Sequence, residues 1–309
     1  EHCPIVQGGD GHGCGHNLLG SASMAAVVAL KDYMEEKKLP GTIVFYGCPA
    51  EEVLTGKVFM ARNGAFKDLD CAFAWHGGKA NAVSLGSSNG LNSAIFHFKG
   101  RTAHAGGDPQ NGRSALDAAE LMSVGANYLR EHVTSDVRIH YVYKEAGTAP
   151  NIVPDRASVW YYVRAMSREA IEDTYDRLVK VAKGAAMMTE TELEVEFLGG
   201  CYNTMPNVYM ANMTHDLMEH MEGPVWTDEE KAFAAALNEQ SPMYEAMKAR
   251  GELDNGPIFT GVAPMVEMNG GGSTDVADVQ NICPCIMVNT ATCNIAAPGH
   301  SWQITACAG

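Results

Sequence analysis

The chain has 309 residues, of which 46% are hydrophobic and 19% are charged, and this composition excludes an intrinsically disordered protein and leaves room for two domains. The formal net charge of -15 disfavours nucleic acids and anionic membranes as partners, because both carry negative charge. No apolar run in the sequence reaches the length that a membrane-spanning helix needs.

The first part of the chain alternates between helical and strand-like segments. Apolar residues at helical spacing predict a helix over residues 17–38, with Ser21 as its N-cap. Residues 42–48 (TIVFYGC) form a continuous apolar run, which is typical of a strand buried on both faces. Residues 55–66 are predicted to be helical, and residues 71–75 (CAFAW) form a second buried strand. This alternation predicts a doubly wound α/β domain.

The pattern changes near residue 92. Apolar residues at helical spacing predict helices over residues 114–133 and 171–185. Strand-like segments flank these helices, at residues 95–99, 137–143, 159–163 and 193–197. The resulting order, β-α-β-β-α-β, predicts a complete ferredoxin-like unit.

Helical spacing returns after Pro206 and continues to about residue 250. A glycine-rich loop (NGGGSTD, 269–275) and another buried strand at 285–289 follow. The simplest organisation is an α/β domain that combines the two ends of the chain, interrupted by the ferredoxin-like unit. We therefore predict one domain made of residues 1–91 and 207–309, and a second domain inserted at residues 92–206.

The nine cysteines are odd in number and scattered, and a chain of this size needs no disulfide framework. The N-terminus also lacks the basic and then apolar pattern of a signal peptide. We therefore predict a cytoplasmic protein with reduced thiols. A redox function at Cys283 and Cys285 is disfavoured, because their CxC spacing differs from the redox CxxC motif and opens a buried strand.

The first candidate site is the segment GHGCGHN at residues 11–17. His12, Cys14 and His16 alternate, so an extended backbone would project all three side chains to one side. A thiolate and an imidazole on one face form a pair of metal ligands. The alternative is a glycine-rich turn with a buried cysteine, and the spacing alone favours neither interpretation.

The second candidate site is Glu51-Glu52, which follows the predicted strand at 42–48. Adjacent side chains point in different directions, so one carboxylate could bind metal while the other faces an attacking water. The alternative is a helix start, where the helix dipole favours glutamate.

Two histidines complete the set. His76 directly follows the strand at 71–75, and His300 lies in a loop beyond the strand at 285–289. A single histidine is more often structural than a ligand. However, sites in doubly wound sheets form at the carboxyl ends of strands, and Glu51, Glu52 and both histidines all follow apolar strands. This shared placement predicts one site.

These motifs together resemble those of a known family. The matching segments are GHGCGHN, PAEE at 49–52, the histidine after CAFAW, GRTAHA at 100–105, PNIVP at 150–154 and APGHSW at 297–302. In this order they resemble the amidohydrolase branch of metallopeptidase family twenty (M20). The resemblance implies a zinc-peptidase-like catalytic, metal-binding domain and an inserted lid and dimerisation domain.

The resemblance also implies a role for each matching residue. Two divalent ions, zinc or manganese, would be held by Cys14, His16, Glu52, His76 and His300, with the Cys14 thiolate as the bridge. Glu51 would be the general base and then the general acid. His104 would reach the site of a partner subunit and stabilise the oxyanion, and Asn151 and Arg164 would meet the substrate carboxylate.

The residues themselves leave other interpretations open. His104 could cap a turn, and Arg164 could be a paired charge on a strand. Residues 273–275 (Ser-Thr-Asp) could line the pocket, or could serve the turn in which they lie.

The implied reaction is hydrolysis of the amide bond of an N-acyl amino acid or a dipeptide-like substrate, with an aminobenzoyl-glutamate-like compound as the leading candidate. A homodimer is expected. The alternative function is a non-catalytic or partner-dependent metal-binding subunit of a hydrolase complex, which would form a hetero-oligomer. Because the family has a strand before GHGCGHN and a helix after the last metal histidine, we expect this sequence to be a piece of a longer chain.

Overall fold

The computed structural model describes residues 5–254 and 256–308. Within them, strands form two sheets of different type, and helices pack around both. The strands are β1 (Ala72–Gly78), β2 (Ala82–Val83), β3 (Gly90–Lys99), β4 (Arg138–Ala146), β5 (Arg156–Ala165), β6 (Glu192–Cys201) and β7 (Cys285–Ala291). The helices are α1 (His16–Lys37), α2 (Gly56–Arg62), α3 (Ala115–Leu129), α4 (Arg168–Thr189), α5 (Val208–His220), α6 (Asp228–Glu239), α7 (Tyr244–Ala249), α8 (Val276–Gln280) and α9 (Trp302–Ala308).

The first sheet has the strand order β1-β7-β2. β1 and β7 run parallel from Ala72 opposite Cys285 to Gly78 opposite Ala291, and β2 pairs antiparallel with β7. A buried cluster around Phe66 and Val279 packs on this sheet. The predicted strands at 71–75 and 285–289 are therefore confirmed, but β1 is only partly buried because it lies at the edge of the sheet.

The second sheet has the strand order β4-β5-β3-β6, and all neighbouring strands are antiparallel. α3 and α4 cover one of its faces, where Phe96, Met122, Tyr161 and Leu178 are almost completely buried. Both helices start at a serine whose hydroxyl accepts a backbone N–H bond, so their first turns are capped. The helices predicted at 114–133 and 171–185 are confirmed by α3 and α4.

The two sheets are joined where β3 begins and β6 ends. The Ser88 N–H donates to the Thr204 hydroxyl at 2.6 Å, which holds the two connecting segments side by side. Arg168 on α4 donates to the carbonyl oxygens of Leu91 and Cys201 at 3.2 and 3.3 Å, so one guanidinium holds both strands at the junction.

The strand predicted at residues 42–48 is wrong. The segment is irregular, and Val44 and Phe45 are exposed to solvent. A strand requires a neighbouring strand for its backbone hydrogen bonds, and no strand in the described part of the chain pairs with this segment. Its main anchor is Tyr46, which donates its hydroxyl to the Ala65 carbonyl at 2.6 Å and packs against Phe66.

The helix predicted at residues 17–38 is confirmed by α1, but its predicted cap is wrong. Gly15 occupies the N-cap, and Ser21 lies inside the helix, where its hydroxyl donates to the Asn17 carbonyl. The apolar residues of α1 are also more exposed than the periodicity predicts, with Met24 at 56% and Leu30 at 48%. Over residues 5–254 and 256–308, every helix falls short of the length or the apolarity that crossing a bilayer would require.

Candidate metal centre

The structure brings together the five side chains that the motifs single out as ligands. We call this set the ligand cluster, and its members are Cys14, His16, Glu52, His76 and His300. The potential ligand atoms form two overlapping groups, and within each group they lie no more than 4.8 Å from one another. One group contains Cys14, His16 and His76, and the other contains Cys14, Glu52 and His300. A third such group combines His16 with Glu51 and Glu52.

Cys14 and His16 reach the ligand cluster through a tight turn, and not through the extended segment that was predicted. The Gly15 N–H donates to the His12 carbonyl at 3.0 Å, and Gly15 has a φ of 71°. Glycine suits this left-handed conformation, since it lacks a Cβ. α1 starts immediately afterwards at His16, which turns Cys14 and His16 toward the same site and leaves His12 exposed.

Glu51 and Glu52 lie on a single 3₁₀ turn whose flanking residues have left-handed backbones. Ala50 has a φ of 57° and Leu54 a φ of 55°, which for residues with a side chain is an uncommon conformation. Gly56 closes the turn against the chain, because an added Cβ there would lie 1.6 Å from the Pro49 carbonyl oxygen. The close backbone approach therefore requires glycine at this position.

The imidazole of His16 lies between the two carboxylates of that turn. His16 Nε2 is 3.8 Å from Glu51 Oε2, and His16 Nδ1 is 3.4 Å from Glu52 Oε1. The side chains of Glu51 and Glu52 are 24% and 36% exposed, so a small molecule could reach both carboxylates.

His76 is oriented by the backbone of its own strand. Its Nδ1 lies 2.6 Å from the Gly77 carbonyl oxygen, and an N–H at that position satisfies this contact. Nε2 is then the nitrogen with the available lone pair, and it lies 3.2 Å from Cys14 Sγ. A histidine that donates one ring N–H to a carbonyl oxygen and uses its other nitrogen as a ligand is the usual arrangement at metal sites.

His300 enters from the loop after β7 with a φ of 51°, a conformation that is rare outside functional sites and turns. Together the ligand cluster offers one thiol, three imidazoles and one carboxylate. This mixture of sulfur, nitrogen and oxygen donors fits zinc, and its nitrogen and oxygen donors also fit manganese.

Sequence reasoning missed one residue that supports the site. Lys57, at the start of α2, forms a 2.7 Å ion pair with Asp275, whose side chain is fully buried. Asp275 is one of the residues predicted to line the pocket or to serve a turn, and it lies in the turn that starts α8, where its carbonyl accepts the Asp278 N–H at 3.2 Å. It binds the segment that directly follows the Glu51–Glu52 turn. The sequence does show a lysine, Lys57, shortly after the Glu51-Glu52 pair. It does not show that the partner of this lysine is Asp275, which lies far away in the chain.

The three other predicted site residues lie on the second sheet and its loops. His104 is exposed, and its Nδ1 accepts the backbone N–H groups of Gly106 and Gly107 at 3.2 and 2.9 Å. Asn151 is also exposed, and its carbonyl accepts the Ala105 N–H. Among the described residues, the groups of candidate ligands include none of these three residues.

Arg164 lies at the end of β5, facing the glycine-rich loop. Its Nη1 is 3.4 Å from the Ser273 hydroxyl, and its guanidinium lies 5.4 Å from the centre of the Tyr162 ring. Its Nε is buried without a hydrogen-bond partner. The side chain therefore keeps donor capacity at the junction of the two sheets.

Comparisons with known proteins identify relatives of this chain. A sequence profile described as a peptidase dimerisation domain (M20_dimer) matches residues 87–187. The chain is 38% identical, over 97% of its own length and 66% of the relative, to one of the subunits of p-aminobenzoyl-glutamate hydrolase from Escherichia coli K12. It is 26% identical, over 94% of its length and 66% of the relative, to indole-3-acetyl-aspartic acid hydrolase of Enterobacter agglomerans.

A solved structure shows the same fold. The aminobenzoyl-glutamate utilization protein of Klebsiella pneumoniae superposes with a TM-score of 0.57 at 22% identity, covering 84% of this chain and 57% of that one. The chain thus spans 66% or less of the length of each of these relatives.

Proposed function

Because the chain belongs to the M20 peptidase family, we propose that it is a metal-dependent amidohydrolase that cleaves the amide bond of an N-acyl amino acid or a dipeptide-like substrate. The observation that carries the proposal is the convergence of the ligand cluster beside Glu51. The names of two relatives, which specify an aminobenzoyl-glutamate and an indole-acetyl-aspartate, support an aryl-acyl amino acid as the substrate.

We propose that the ligand cluster holds two divalent ions, zinc or manganese. Cys14 is the member common to the two groups that make up the ligand cluster, one with His16 and His76 and one with Glu52 and His300, which supports a thiolate shared between two ions. Bound divalent ions supply Lewis acidity, which polarises an amide carbonyl and lowers the pKa of water.

Glu51 is the proposed general base. It stands next to a proposed ligand, Glu52, on the same turn, so its own carboxylate remains available for proton transfer. It would accept the proton of the attacking water at a carboxylate oxygen. It would then deliver that proton to the nitrogen of the leaving amine, because the amine is a poor leaving group until it is protonated.

His104 is the proposed donor to the oxyanion. Since its Nδ1 accepts two backbone N–H groups, the ring proton of the neutral imidazole is on Nε2. That N–H can be donated outward from an exposed side chain, which suits a site on a partner subunit of a homodimer. Arg164 and Asn151 are proposed to bind the substrate carboxylate, and the planar guanidinium suits this ligand.

The finer architecture is also a proposal. The strand order β4-β5-β3-β6, with two helices on one face, supports a ferredoxin-like domain at residues 92–206. The parallel pair of β1 and β7 supports a doubly wound domain made of residues 1–91 and 207–309. A cytoplasmic location stays a prediction.

A second candidate function is a metal-binding subunit that acts only with a different subunit. The name of the Escherichia coli relative favours it, since that protein is itself called a subunit. Light scattering of the active species separates the two candidate functions. If the chain is active as a homodimer, the partner-dependent subunit is excluded.

The test of the first candidate uses protein loaded with zinc or manganese and a panel of N-acyl amino acids and dipeptides. Amine release is followed for the natural chain and for Glu51→Gln, with metal content measured for both. Release by the natural chain and not by a fully metallated Glu51→Gln supports the proposal. Equal rates in the two proteins would show that the assigned mechanism is wrong.

A further inference from the structure

One face of the second sheet lies away from α3 and α4, and aromatic side chains occupy its centre. On β5, alternate residues such as Val159 and Tyr161 are buried under α3 and α4, so Trp160 and Tyr162 point to the opposite face. An antiparallel sheet covered on one face usually carries polar residues on the other. Here, however, the two largest side chains of that face stay half-buried at its centre.

The Trp160 and Tyr162 rings form a fixed pair. Their centres are 5.4 Å apart and the rings are nearly perpendicular, at 88°. Trp160 Nε1 donates to the Ser93 hydroxyl at 2.9 Å, so the polar atom of the indole is satisfied within the sheet. The indole is therefore held in place, and its remaining surface is apolar and available for contact.

Cationic side chains border this aromatic pair on the side of β4, whereas Glu194 and Glu196 of β6 lie on the far side of β3. Arg164 lies over Tyr162 and Lys144 lies over Trp160, each at 5.4 Å from a ring centre. On the neighbouring strand, Arg138 is opposite Arg164. Burial, followed by the nearby Arg164, Arg130 and Arg138, lowers the pKa of His140. An aromatic centre with a cationic border complements an aromatic molecule that carries carboxylates.

The aromatic pair is also continuous with the candidate metal centre. Tyr162 packs against a buried cluster that contains Leu54, and Leu54 follows Glu52 by two residues. The sheet face that carries the aromatic pair therefore begins beside the Glu51–Glu52 turn. It continues from Tyr162 to Trp160 over about 7 Å, the spacing of alternate residues along a strand.

We propose that Trp160 and Tyr162 form the surface that selects an aromatic acyl group on an anionic substrate. This inference rests on the proposed amidohydrolase function and names the residues that would select its aryl-acyl group. The two residues are specificity-determining because they contact the acyl group and not the amide that is cleaved. An aliphatic acyl group would gain little from them, since it lacks the flat ring that packs against the indole.

The test compares N-benzoyl-glutamate with N-acetyl-glutamate, which differ only in the acyl group. We expect Trp160→Leu and Tyr162→Leu each to lower kcat/KM for the benzoyl substrate by about 10- to 100-fold, the usual range for the loss of a good apolar contact. For the acetyl substrate, the expected change is less than about threefold for Trp160→Leu. Tyr162→Leu removes the ring beneath Arg164, so it is expected to lower both rates, and the benzoyl rate more. Phe233→Leu, which alters a half-exposed aromatic residue on α6, is the matched control and is expected to change neither rate.

A second readout separates this inference from the proposed function. Calorimetric binding of N-benzoyl-glutamate to the metal-loaded chain is measured with and without Trp160→Leu. If the natural chain hydrolyses neither substrate but binds N-benzoyl-glutamate through Trp160, the amidohydrolase proposal fails and this inference stands.

Equal losses for the benzoyl and acetyl substrates would overturn the inference, as would binding that is absent or unaffected by the substitution. Trp160→Phe guards against misfolding of the leucine variant. It keeps a ring at that position, so it is expected to retain most of the selectivity for the benzoyl substrate.

Discussion

Lys57 and Asp275 form a buried ion pair directly behind the turn that carries Glu51 and Glu52. The Lys57 ammonium lies 2.7 Å from Asp275 Oδ1, and the Lys57 backbone N–H donates to Asp275 Oδ2 at 2.8 Å. The lysine side chain is 14% exposed and the aspartate is fully buried. Because Lys57 is the second residue of α2, this single carboxylate fixes the start of that helix and so the end of the glutamate turn.

Asp275→Asn is expected to weaken both the fold and the metal site. Removing one partner leaves the lysine ammonium largely buried without its counter-charge, which typically costs about 3–5 kcal/mol. The glutamate turn would lose its anchor, so metal affinity is expected to fall by about tenfold or more. Urea unfolding measures the first effect and competition with a chelator measures the second.

Two controls make this prediction specific. Lys31→Met breaks the exposed Lys31–Glu35 pair, which has a similar distance of 2.8 Å, and it is expected to change neither quantity because solvent screens that pair. The double variant Lys57→Met with Asp275→Asn removes both charges and is expected to recover part of the lost stability. Unchanged metal affinity in Asp275→Asn would contradict the proposed support of the turn.

Cys14→Ser is expected to remove more bound metal than His300→Ala. Cys14 is common to the two candidate groups that make up the ligand cluster, whereas His300 belongs to only one of them. A serine hydroxyl also stays protonated near neutral pH and is a poor ligand for zinc. Elemental analysis after dialysis is expected to give almost no metal for Cys14→Ser and about half the natural content for His300→Ala.

Cys71→Ser is the control for that experiment, because Cys71 is an exposed thiol outside the candidate groups. It is expected to keep the full metal content. If Cys14→Ser also kept it, the proposed shared thiolate would have to be abandoned.

The proposed homodimer predicts a role for an exposed apolar stripe on α3. Leu121, Val124 and Tyr128 are 39%, 50% and 75% exposed and recur on one side of the helix. Patches of this kind mark protein interfaces. Tyr128→Glu is therefore expected to shift the chain from dimer to monomer by light scattering at micromolar concentration. Tyr209→Glu, at an equally exposed position on α5, should leave the dimer intact, and a dimer that survives Tyr128→Glu would place the interface elsewhere.

The sequence predicted features that depend on neighbouring residues. α3 and α4 were identified from apolar spacing, because both bury one face against the sheet. The members of the ligand cluster were identified because each lies in a short motif near a turn or a strand end. Placement after apolar segments predicted that Glu52, His76 and His300 share one site, and the family resemblance added the pair of metal ions and the role of each residue.

Features that depend on distant residues could not be predicted in this way. Residues 42–48 have the composition of a buried strand, yet their conformation depends on whether another strand pairs with them. Lys57 and Asp275 are 218 positions apart, so the ion pair exists only once the fold has formed. The apolar pattern of α1 predicted the helix correctly but not the exposure of Met24 and Leu30, since periodicity describes a face and does not identify what covers it.

The last prediction concerns Asp278, a buried carboxyl at the junction of the two sheets. Burial raises its pKa from 3.8 to about 6, and the nearby Asp275 adds to the increase, although the Tyr202 N–H at 3.3 Å opposes it. Between about pH 4 and pH 6 the folded chain therefore holds a proton that the unfolded chain has released. The free energy of unfolding is expected to fall as the pH rises through this window and to level off above it.

Asp278→Asn removes this titration, because the amide stays uncharged like the protonated carboxyl. At pH 7.5 the variant is expected to be more stable than the natural chain by on the order of 3 kcal/mol, the equivalent of about two pKa units. Near pH 4 the two proteins should differ little. Urea unfolding at several pH values measures the difference, with the exposed Asp70→Asn as a control that should follow the natural chain. A difference between Asp278→Asn and the natural chain that stays constant from pH 4 to pH 7.5 would show that another group carries the pH dependence.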